Sequence, residues 1–201
     1  MAKRLFILSV ALLCYLLVKD WANRPIEHPP GLLVTEVPSQ VDLQPSGFML
    51  DDYQVTRRAS FDIRARVLSA EPYYFRRESD LSPLDLALGW GVMSDQAVLD
   101  RIDISQSSRW YRTRYQLPPP VSERLIISSS SNMHMIPATA GIGSSLKKLR
   151  TGDVIQMRGY LVDVDHDSGW YWRTSMSRTD TGSGACEIVY VESLIVETIN
   201  D

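Results

Sequence analysis

Apolar and polar residues alternate along several stretches of the chain, which is the pattern of half-buried β-strands. In residues 60–69 every second side chain is apolar, so one face of this strand is expected to be buried. Residues 154–165 end at a His-Asp-Ser-Gly turn and are followed by residues 170–177, which predicts a hairpin. Further strands are predicted at residues 110–117, 124–128, 132–136 and 185–199.

Short helices are predicted between these strands. Ser82-Pro83 is a helix start before the apolar residues 84–88, Ser94 is expected to cap a second helix that reaches Ile102, and a third is expected at residues 139–149. At least six strands with two or three short helices predict a mainly β (α+β) fold. A small, partly closed β-barrel or sandwich fits this content, and the OB-like barrel is one candidate.

The first 21 residues contain an apolar stretch from Leu5 to Val18 behind Lys3 and Arg4. This is the layout of a signal sequence, but the small residues needed for cleavage are missing after Val18. We therefore expect an uncleaved transmembrane helix with a cytoplasmic N-terminus. The rest of the chain would then be extracytoplasmic, and periplasmic in a Gram-negative bacterium.

Residues 22–47 contain five prolines, so no helix can persist there and an extended tether is predicted. Residues 48–201 are then expected to form one β-rich domain, because a chain of 201 residues is too short for two well-packed domains beside an anchor. The net charge is −3 and the basic residues form no run, which argues against nucleic acid as a partner.

Two acidic motifs invite a chemical interpretation. Asp163, Asp165 and Asp167 alternate as the oxygen ligands of calcium loops do, but the glutamate of the twelfth position is replaced by Thr174. Asp180-Thr181-Gly182-Ser183 matches the motif of aspartic proteases, yet it occurs once and reads more simply as a glycine-rich turn. No metal and no cofactor is predicted.

A cysteine and a histidine form the third candidate. Cys186 is the one cysteine outside the N-terminal segment, and His134 could take its proton to leave a thiolate nucleophile. The apolar neighbours Ile188, Val189 and Val191 favour the opposite interpretation, a buried thiol that reacts slowly. The sequence leaves both interpretations open.

The order of elements from His134 through residues 146–154 to Cys186 resembles that of sortases, which are membrane-anchored β-barrel transpeptidases with the same N-terminal layout. The resemblance covers about the last third of the chain. It implies a Cys186 nucleophile, a His134 partner and an arginine. No arginine follows Cys186, and the threonine-rich motif before the cysteine is missing, so the arginine would be Arg178 or Arg173 from the preceding hairpin.

Aromatic residues are frequent on the predicted strands, and alternation must expose some of them on a binding face. The candidate binding residues are Trp90, Trp110, Trp170 and Trp172. The leading hypothesis is therefore a non-catalytic envelope domain that binds a protein or a glycan. The alternative is a sortase-like thiol transpeptidase or hydrolase with Cys186, His134 and Arg178 as catalytic residues.

Overall fold

A computed structural model of the chain describes residue 10 and residues 24–75, 77–178, 180–182 and 184–198. The predicted membrane anchor at residues 1–21 lies outside this part of the chain, apart from Val10. Among the described residues, none of the helices has the length and apolar character needed to cross a membrane.

The described residues form nine β-strands joined by short helices, so the fold is mainly β, as predicted. The strands are β1 (Ser39–Leu50), β2 (Tyr53–Pro72), β3 (Leu84–Gly89), β4 (Asp103–Ser107), β5 (Trp110–Arg114), β6 (Ser130–Pro137), β7 (Val154–His166), β8 (Tyr171–Trp172) and β9 (Glu187–Val196). The helices are α1 (Arg77–Leu81), a 3₁₀ helix (Gly91–Ser94), α2 (Gln96–Leu99), α3 (Glu123–Ser128) and α4 (Ala140–Leu146).

Five of the strands pair in a closed ring. The order around the ring is β2, β3, β6, β9 and β7, and β7 pairs again with β2. All neighbours are antiparallel except β6 and β9, which are parallel. Strands β1 and β8 extend the sheet, while β4 and β5 form a separate hairpin. Because the ring is closed, each of its five strands pairs with a neighbour on both sides. The backbone groups that form these pairs are therefore not exposed at a sheet edge.

The main apolar core is built from the alternating residues of the ring strands. The alternation predicted at residues 60–69 is confirmed: Phe61 and Ile63 of β2 are at most 2% exposed. They belong to one buried cluster with Leu86 of β3 and Met133 of β6. The neighbouring residues of β3 and β6 therefore point to the opposite face of the sheet.

Two predicted elements have a different structure. Residues 84–88 form strand β3 and not a helix, because every second residue of this run is a leucine that packs in the core and Asp85 points the other way. The strand predicted at residues 124–128 is part of helix α3. In that segment Ile126 is buried, whereas its neighbours Leu125 and Ile127 are exposed, so one residue per turn faces the core.

The segment expected to be a free tether is packed against the domain. Strand β1 begins at Ser39, inside residues 22–47, and the irregular residues before it are held by backbone hydrogen bonds. Ile26 donates to the carbonyl of Thr151 and Gly91 donates to the carbonyl of Val34, each at 2.8 Å. Proline prevents a helix here but not an extended segment whose polar groups find partners on the domain.

A glycine permits this close packing. Gly152 has a φ of 97°, and a Cβ at this position would lie 2.1 Å from the carbonyl oxygen of Ile26. The imidazole Nε2 of His28 also lies 2.8 Å from the carbonyl oxygen of Gly152. The domain therefore extends at least to the residues around Ile26, beyond the predicted boundary at residue 48.

Replacing Val34 by alanine tests this extension, because Val34 is fully buried and belongs to the main core. We expect the free energy of unfolding to fall by about 1–3 kcal/mol, measured by urea denaturation of the full chain. Leu32→Ala is the matched control, since Leu32 is 52% exposed and its loss should change stability by less than about 0.5 kcal/mol. Equal, small effects of the two variants would mean that the segment is a free tether.

Candidate functional site

The pairing of β3 with β6 places two titratable residues side by side. Asp85 and His134 are direct cross-strand partners, with Ala87 and Asn132 as the next pair on the same face. This is the face turned away from the main core. Cross-strand partners have Cβ atoms about 5 Å apart, so the register alone brings the carboxylate to the imidazole.

Asp85 is completely buried and carries two cationic partners on the same oxygen. Its Oδ1 lies 2.6 Å from Nη1 of Arg109 and 2.9 Å from Nδ1 of His134. An isolated carboxylate at this depth would be strongly destabilising, because its charge is removed from water. The two ion pairs are therefore a condition for keeping Asp85 in the sheet.

Arg109 reaches Asp85 from the tip of the β4–β5 hairpin. Ser108 and Arg109 have φ values of 52° and 64°, a left-handed backbone conformation that L residues rarely adopt. The side chain of Arg109 donates to the carbonyl of Ser82 at 2.9 Å. Its guanidinium also lies over the ring of Tyr73, 4.4 Å from the ring centroid. The strained turn and these contacts hold the guanidinium of Arg109 beside the carboxylate of Asp85.

His134 has Cys186 as its second partner. Burial lowers the pKa of His134, but the ion pair with Asp85 and the hydrogen bond to Cys186 outweigh burial and raise this pKa to about 9. The imidazole ring also packs on Trp172, with ring centroids 4.7 Å apart. The imidazole is therefore charged at neutral pH and held between a carboxylate and a thiol.

Cys186 lies just before β9 and is only half-buried, so the expectation of a fully buried core thiol is wrong. The core residues are its neighbours Ile188 and Val189, which β9 turns inward. Asn132 Nδ2 lies 3.5 Å from the Cys186 sulfur, and the sulfur lies 3.9 Å from the carbonyl oxygen of Arg109. The thiol thus has an amide donor beside it.

Two cavities border this group of residues. The first has a volume of about 200 Å³ and is lined by Trp110, Tyr111, Thr113, Ile126, Ile127, Ser130, Ser131, Asn132, Asp180, Thr181, Gly182, Ala185 and Cys186. The second has a volume of about 400 Å³ and is lined by Pro72, Tyr73, Tyr74, Phe75, Glu78, Ser108, Arg109, His134 and Trp172. We call them the thiol cavity and the imidazole cavity. The thiol and its histidine therefore face separate openings.

A second buried acid lies next to the thiol. Glu187 is 1% exposed, and its carboxylate accepts a hydrogen bond from the hydroxyl of Ser131, which lines the thiol cavity. Burial raises the pKa of Glu187 to about 7, although the Ser131 bond and the charge of Arg178 oppose this shift. Glu187 therefore changes protonation state close to neutral pH.

The arginine expected from the sortase resemblance has a different place. Arg178 donates to the side-chain oxygen of Gln40 at 3.1 Å and lies over the ring of Phe61. Arg173 forms an ion pair with Asp165. The guanidinium that reaches the imidazole–carboxylate pair is that of Arg109, from a hairpin that precedes His134 in the sequence.

The four predicted binding tryptophans are not on one face. Trp90 is 2% exposed and belongs to the main core, so it is not part of an exposed binding surface. Trp110 is 43% exposed and borders the thiol cavity, while Trp172 borders the imidazole cavity. Trp170 packs against Trp172 and Tyr53. Two of the four therefore lie at the site.

The acidic motifs are bound to protein groups. Asp163 pairs with Arg58 at 2.5 Å and accepts a hydrogen bond from the backbone N–H of Thr174, which ties β7 to the irregular segment after β8. No group of three histidine, cysteine or acidic residues within the described ranges is arranged to hold a metal ion. Asp180 accepts from the hydroxyl of Ser175 at 2.7 Å and lines the thiol cavity, so the glycine-rich turn is a wall of the site.

Cys186 and His134 are candidates from the sequence alone, whereas Asp85, Arg109 and Asn132 are revealed only by the structure. The sequence does carry a signal for Asp85. An aspartate within the apolar run Leu-Asp-Leu-Ala-Leu-Gly is unusual in a buried strand unless its carboxylate is paired with a cation or a hydrogen-bond donor. Arg109 has no such signal, because its role depends on how the hairpin folds over β3 and β6. The comparisons add no further residue: no family model matches the chain, and no curated protein or solved structure matches it significantly.

The buried acid generates a testable pH dependence. The folded-state pKa of Glu187, about 7, lies above the ordinary value of 4.5, so the folded state binds more protons between these two pH values. The stability contributed by protonated Glu187 is then complete below about pH 4.5 and is lost as the pH rises through 7. Relative to Glu187→Gln, the wild-type free energy of unfolding should fall by up to about 3 kcal/mol over this window, measured by urea denaturation.

Glu192→Gln is the control for this measurement, since Glu192 lies on the same strand but is exposed. Its difference from the wild type should stay constant across the window. A constant difference for Glu187→Gln as well would show that the buried carboxylate does not bind a proton in this range.

Proposed function

We propose that the domain is a cysteine-dependent acyl-transfer enzyme, a transpeptidase or hydrolase, with Cys186 as nucleophile, His134 as acid and base, and Asp85 as the group that orients the imidazole. The observation that carries this proposal is the imidazole held between a buried carboxylate and a half-exposed thiol at the edge of a cavity. A nucleophile, a base and an orienting third group are the parts that covalent acyl transfer requires.

The charges of the buried group favour a thiolate. Asp85 supplies one negative charge, while Arg109 and the protonated His134 supply two positive charges. A neutral thiol would leave one buried positive charge without a counterion, and a Cys186 thiolate would balance it. A thiolate beside an imidazolium is the reactive form of cysteine nucleophiles.

The surrounding groups support the chemistry of acyl transfer. The thiolate would attack a carbonyl carbon, and the amide of Asn132, 3.5 Å from the sulfur, is placed to donate to the developing oxyanion. Because Nδ1 of His134 lies beside Asp85, the other ring nitrogen of His134 is the one that can protonate the leaving group. Arg109 is a positioning residue here, because it contacts Asp85.

The connectivity supports the finer proposal that the ring is an OB-type barrel. In chain order the ring strands are β2, β3, β6, β7 and β9, and their spatial order is first, second, third, fifth, fourth, with helix α4 between the third and the fourth. OB barrels bind ligands on the face of their second and third strands. Asp85 and His134 lie on these two strands.

The second candidate function is a binding module without catalysis. It is favoured by Trp110 and Trp172, which border the two cavities, and by the exposed Tyr74 and Phe75. Its partner would be an envelope protein or a glycan. In both candidates the single-pass membrane anchor and the extracytoplasmic placement of the domain stay predictions.

The two functions differ in the reactivity of Cys186. If Cys186 is a thiolate paired with His134, iodoacetamide should label it rapidly near pH 7 in the native full chain, followed by mass spectrometry of the Cys186 peptide. His134→Ala should slow this labelling roughly tenfold to hundredfold, because the counterion of the thiolate is lost. His166→Ala is the matched control, since His166 is at the β7–β8 turn and should leave the rate unchanged.

A comparison of the native and the unfolded wild type gives the same answer without a substitution in the site. Labelling near pH 7 should be faster in the native wild type than in the same protein unfolded in urea, where His134 no longer lies beside the thiol. A rate that follows an ordinary free thiol and does not respond to His134→Ala would contradict the enzyme proposal and favour the binding module.

A further inference from the structure

We propose that the tip of the β4–β5 hairpin is an autoinhibitory element, in which the backbone carbonyl of Arg109 holds the place beside Cys186 that a substrate carbonyl would take. This inference rests on the proposed function and adds a regulation of the same site. It follows from the position of one oxygen atom, since the Asn132 amide and the Cys186 sulfur both lie beside the Arg109 carbonyl oxygen.

The Arg109 carbonyl lies where the oxyanion of acyl transfer would form. Its oxygen accepts a hydrogen bond from Nδ2 of Asn132 at 3.3 Å and lies 3.9 Å from the Cys186 sulfur. In acyl transfer the nucleophile approaches the carbonyl carbon to about 3–3.5 Å, and the carbonyl oxygen is bound by a donor beside the nucleophile. The hairpin tip therefore presents a carbonyl to the same donor and the same sulfur that a substrate carbonyl would use.

The Asn132 amide is occupied while the tip is in this position. A side-chain amide has two hydrogens, and Nδ2 of Asn132 contacts two acceptors, the Arg109 carbonyl at 3.3 Å and the Cys186 sulfur at 3.5 Å. Asn132 and Cys186 both line the thiol cavity, so a carbonyl group that enters from this cavity meets a donor that is already in use. An oxyanion at Cys186 would have to displace the Arg109 carbonyl from it.

The tip can leave this position because its backbone is strained. Ser107 of β4 pairs with Trp110 of β5, which leaves a loop of only two residues. Both loop residues, Ser108 and Arg109, have positive φ values, and loops of this kind favour asparagine and glycine. The hairpin also forms a two-stranded sheet of its own, separate from the seven-stranded sheet.

One hydrogen bond of the tip backbone can be removed without changing the catalytic groups. The backbone N–H of Arg109 donates to the phenol oxygen of Tyr73 at 2.7 Å, while the ring of Tyr73 stacks on the guanidinium. The arginine side chain is long, so its guanidinium can keep the ion pair with Asp85 while the backbone at the tip shifts. Opening the tip then exchanges the Tyr73 and Asn132 hydrogen bonds for bonds to water and leaves the buried carboxylate paired.

The test compares two reactions of Cys186 in the full chain. With p-nitrophenyl acetate, the thiolate bonds to the carbonyl carbon and keeps the acetyl group as a thioester, while p-nitrophenolate leaves with the electron pair and needs no proton. Iodoacetamide alkylates the same thiol at a methylene carbon, so no oxyanion forms. Only the acylation should therefore depend on a free Asn132 donor.

Tyr73→Phe removes the acceptor of the Arg109 N–H and should accelerate acylation roughly threefold to tenfold, because the closed tip becomes less stable. Ser108→Asn should slow acylation by a similar factor, since asparagine adopts positive φ more readily than serine and stabilises the closed loop. Labelling by iodoacetamide should stay within about twofold of the wild-type rate in both variants. Tyr171→Phe and Ser105→Asn are the matched controls, because both residues are exposed and lie away from the two-residue loop.

The outcomes separate this inference from the proposed function. Faster acylation in Tyr73→Phe and slower acylation in Ser108→Asn, with labelling unchanged, support the autoinhibitory tip. Fast, His134-dependent labelling together with equal acylation rates in the wild type and both variants, or with slower acylation in Tyr73→Phe, would overturn the autoinhibitory tip and leave the thiol enzyme standing. Acylation and labelling no faster than those of free cysteine in all three proteins, with no effect of His134→Ala, would overturn both.

Discussion

The burial of one carboxylate organises the site. Asp85 has no exposed surface, and a charge at that depth is tolerated only with well-placed counterions. The β3–β6 register supplies the first, His134, and the β4–β5 hairpin supplies the second, Arg109. Without both partners the carboxylate would carry an uncompensated buried charge, which typically costs several kcal/mol. The fold therefore depends on the same contacts that define the site.

This constraint explains why the hairpin has a strained tip. The left-handed conformations of Ser108 and Arg109 cost free energy, and neither residue is a glycine that would relieve it. The strain is offset by the ion pair with Asp85, the bond to the carbonyl of Ser82 and the stacking on Tyr73. The carbonyl of Arg109 in turn accepts a hydrogen bond from the side-chain amide of Asn132. This bond connects the hairpin tip to the residue beside the thiol.

The parts of the fold that could be predicted are those that depend on local periodicity. The alternation in β2, the long β7 strand and helix α4 follow from the pattern of the sequence alone. The pairing of His134 with Cys186 could be proposed because both residue types are rare in this chain. Residues 84–88 were misassigned because Ser82-Pro83 resembles a helix start, although Leu84, Leu86 and Leu88 alternate with the period of a strand.

The remaining parts depend on contacts between residues distant in the sequence. The role of Arg109 requires the hairpin to fold over β3, and no local pattern around it reports this. The packing of residues 24–38 likewise depends on backbone partners near Thr151 and Gly91, which lie far along the chain. Trp90 illustrates the same limit, because the sequence does not show whether an aromatic residue that follows a strand faces the core or a binding surface.

The central claim is that His134 is an imidazolium shared between Asp85 and Cys186. Nitrogen chemical shifts of the three histidines, recorded by NMR across the pH range, report this directly. The account predicts that His134 stays protonated to about pH 9 and that Cys186→Ser and Asp85→Asn each lower its pKa. A His134 pKa at or below the ordinary value near 6.5, unchanged in Cys186→Ser, would contradict it.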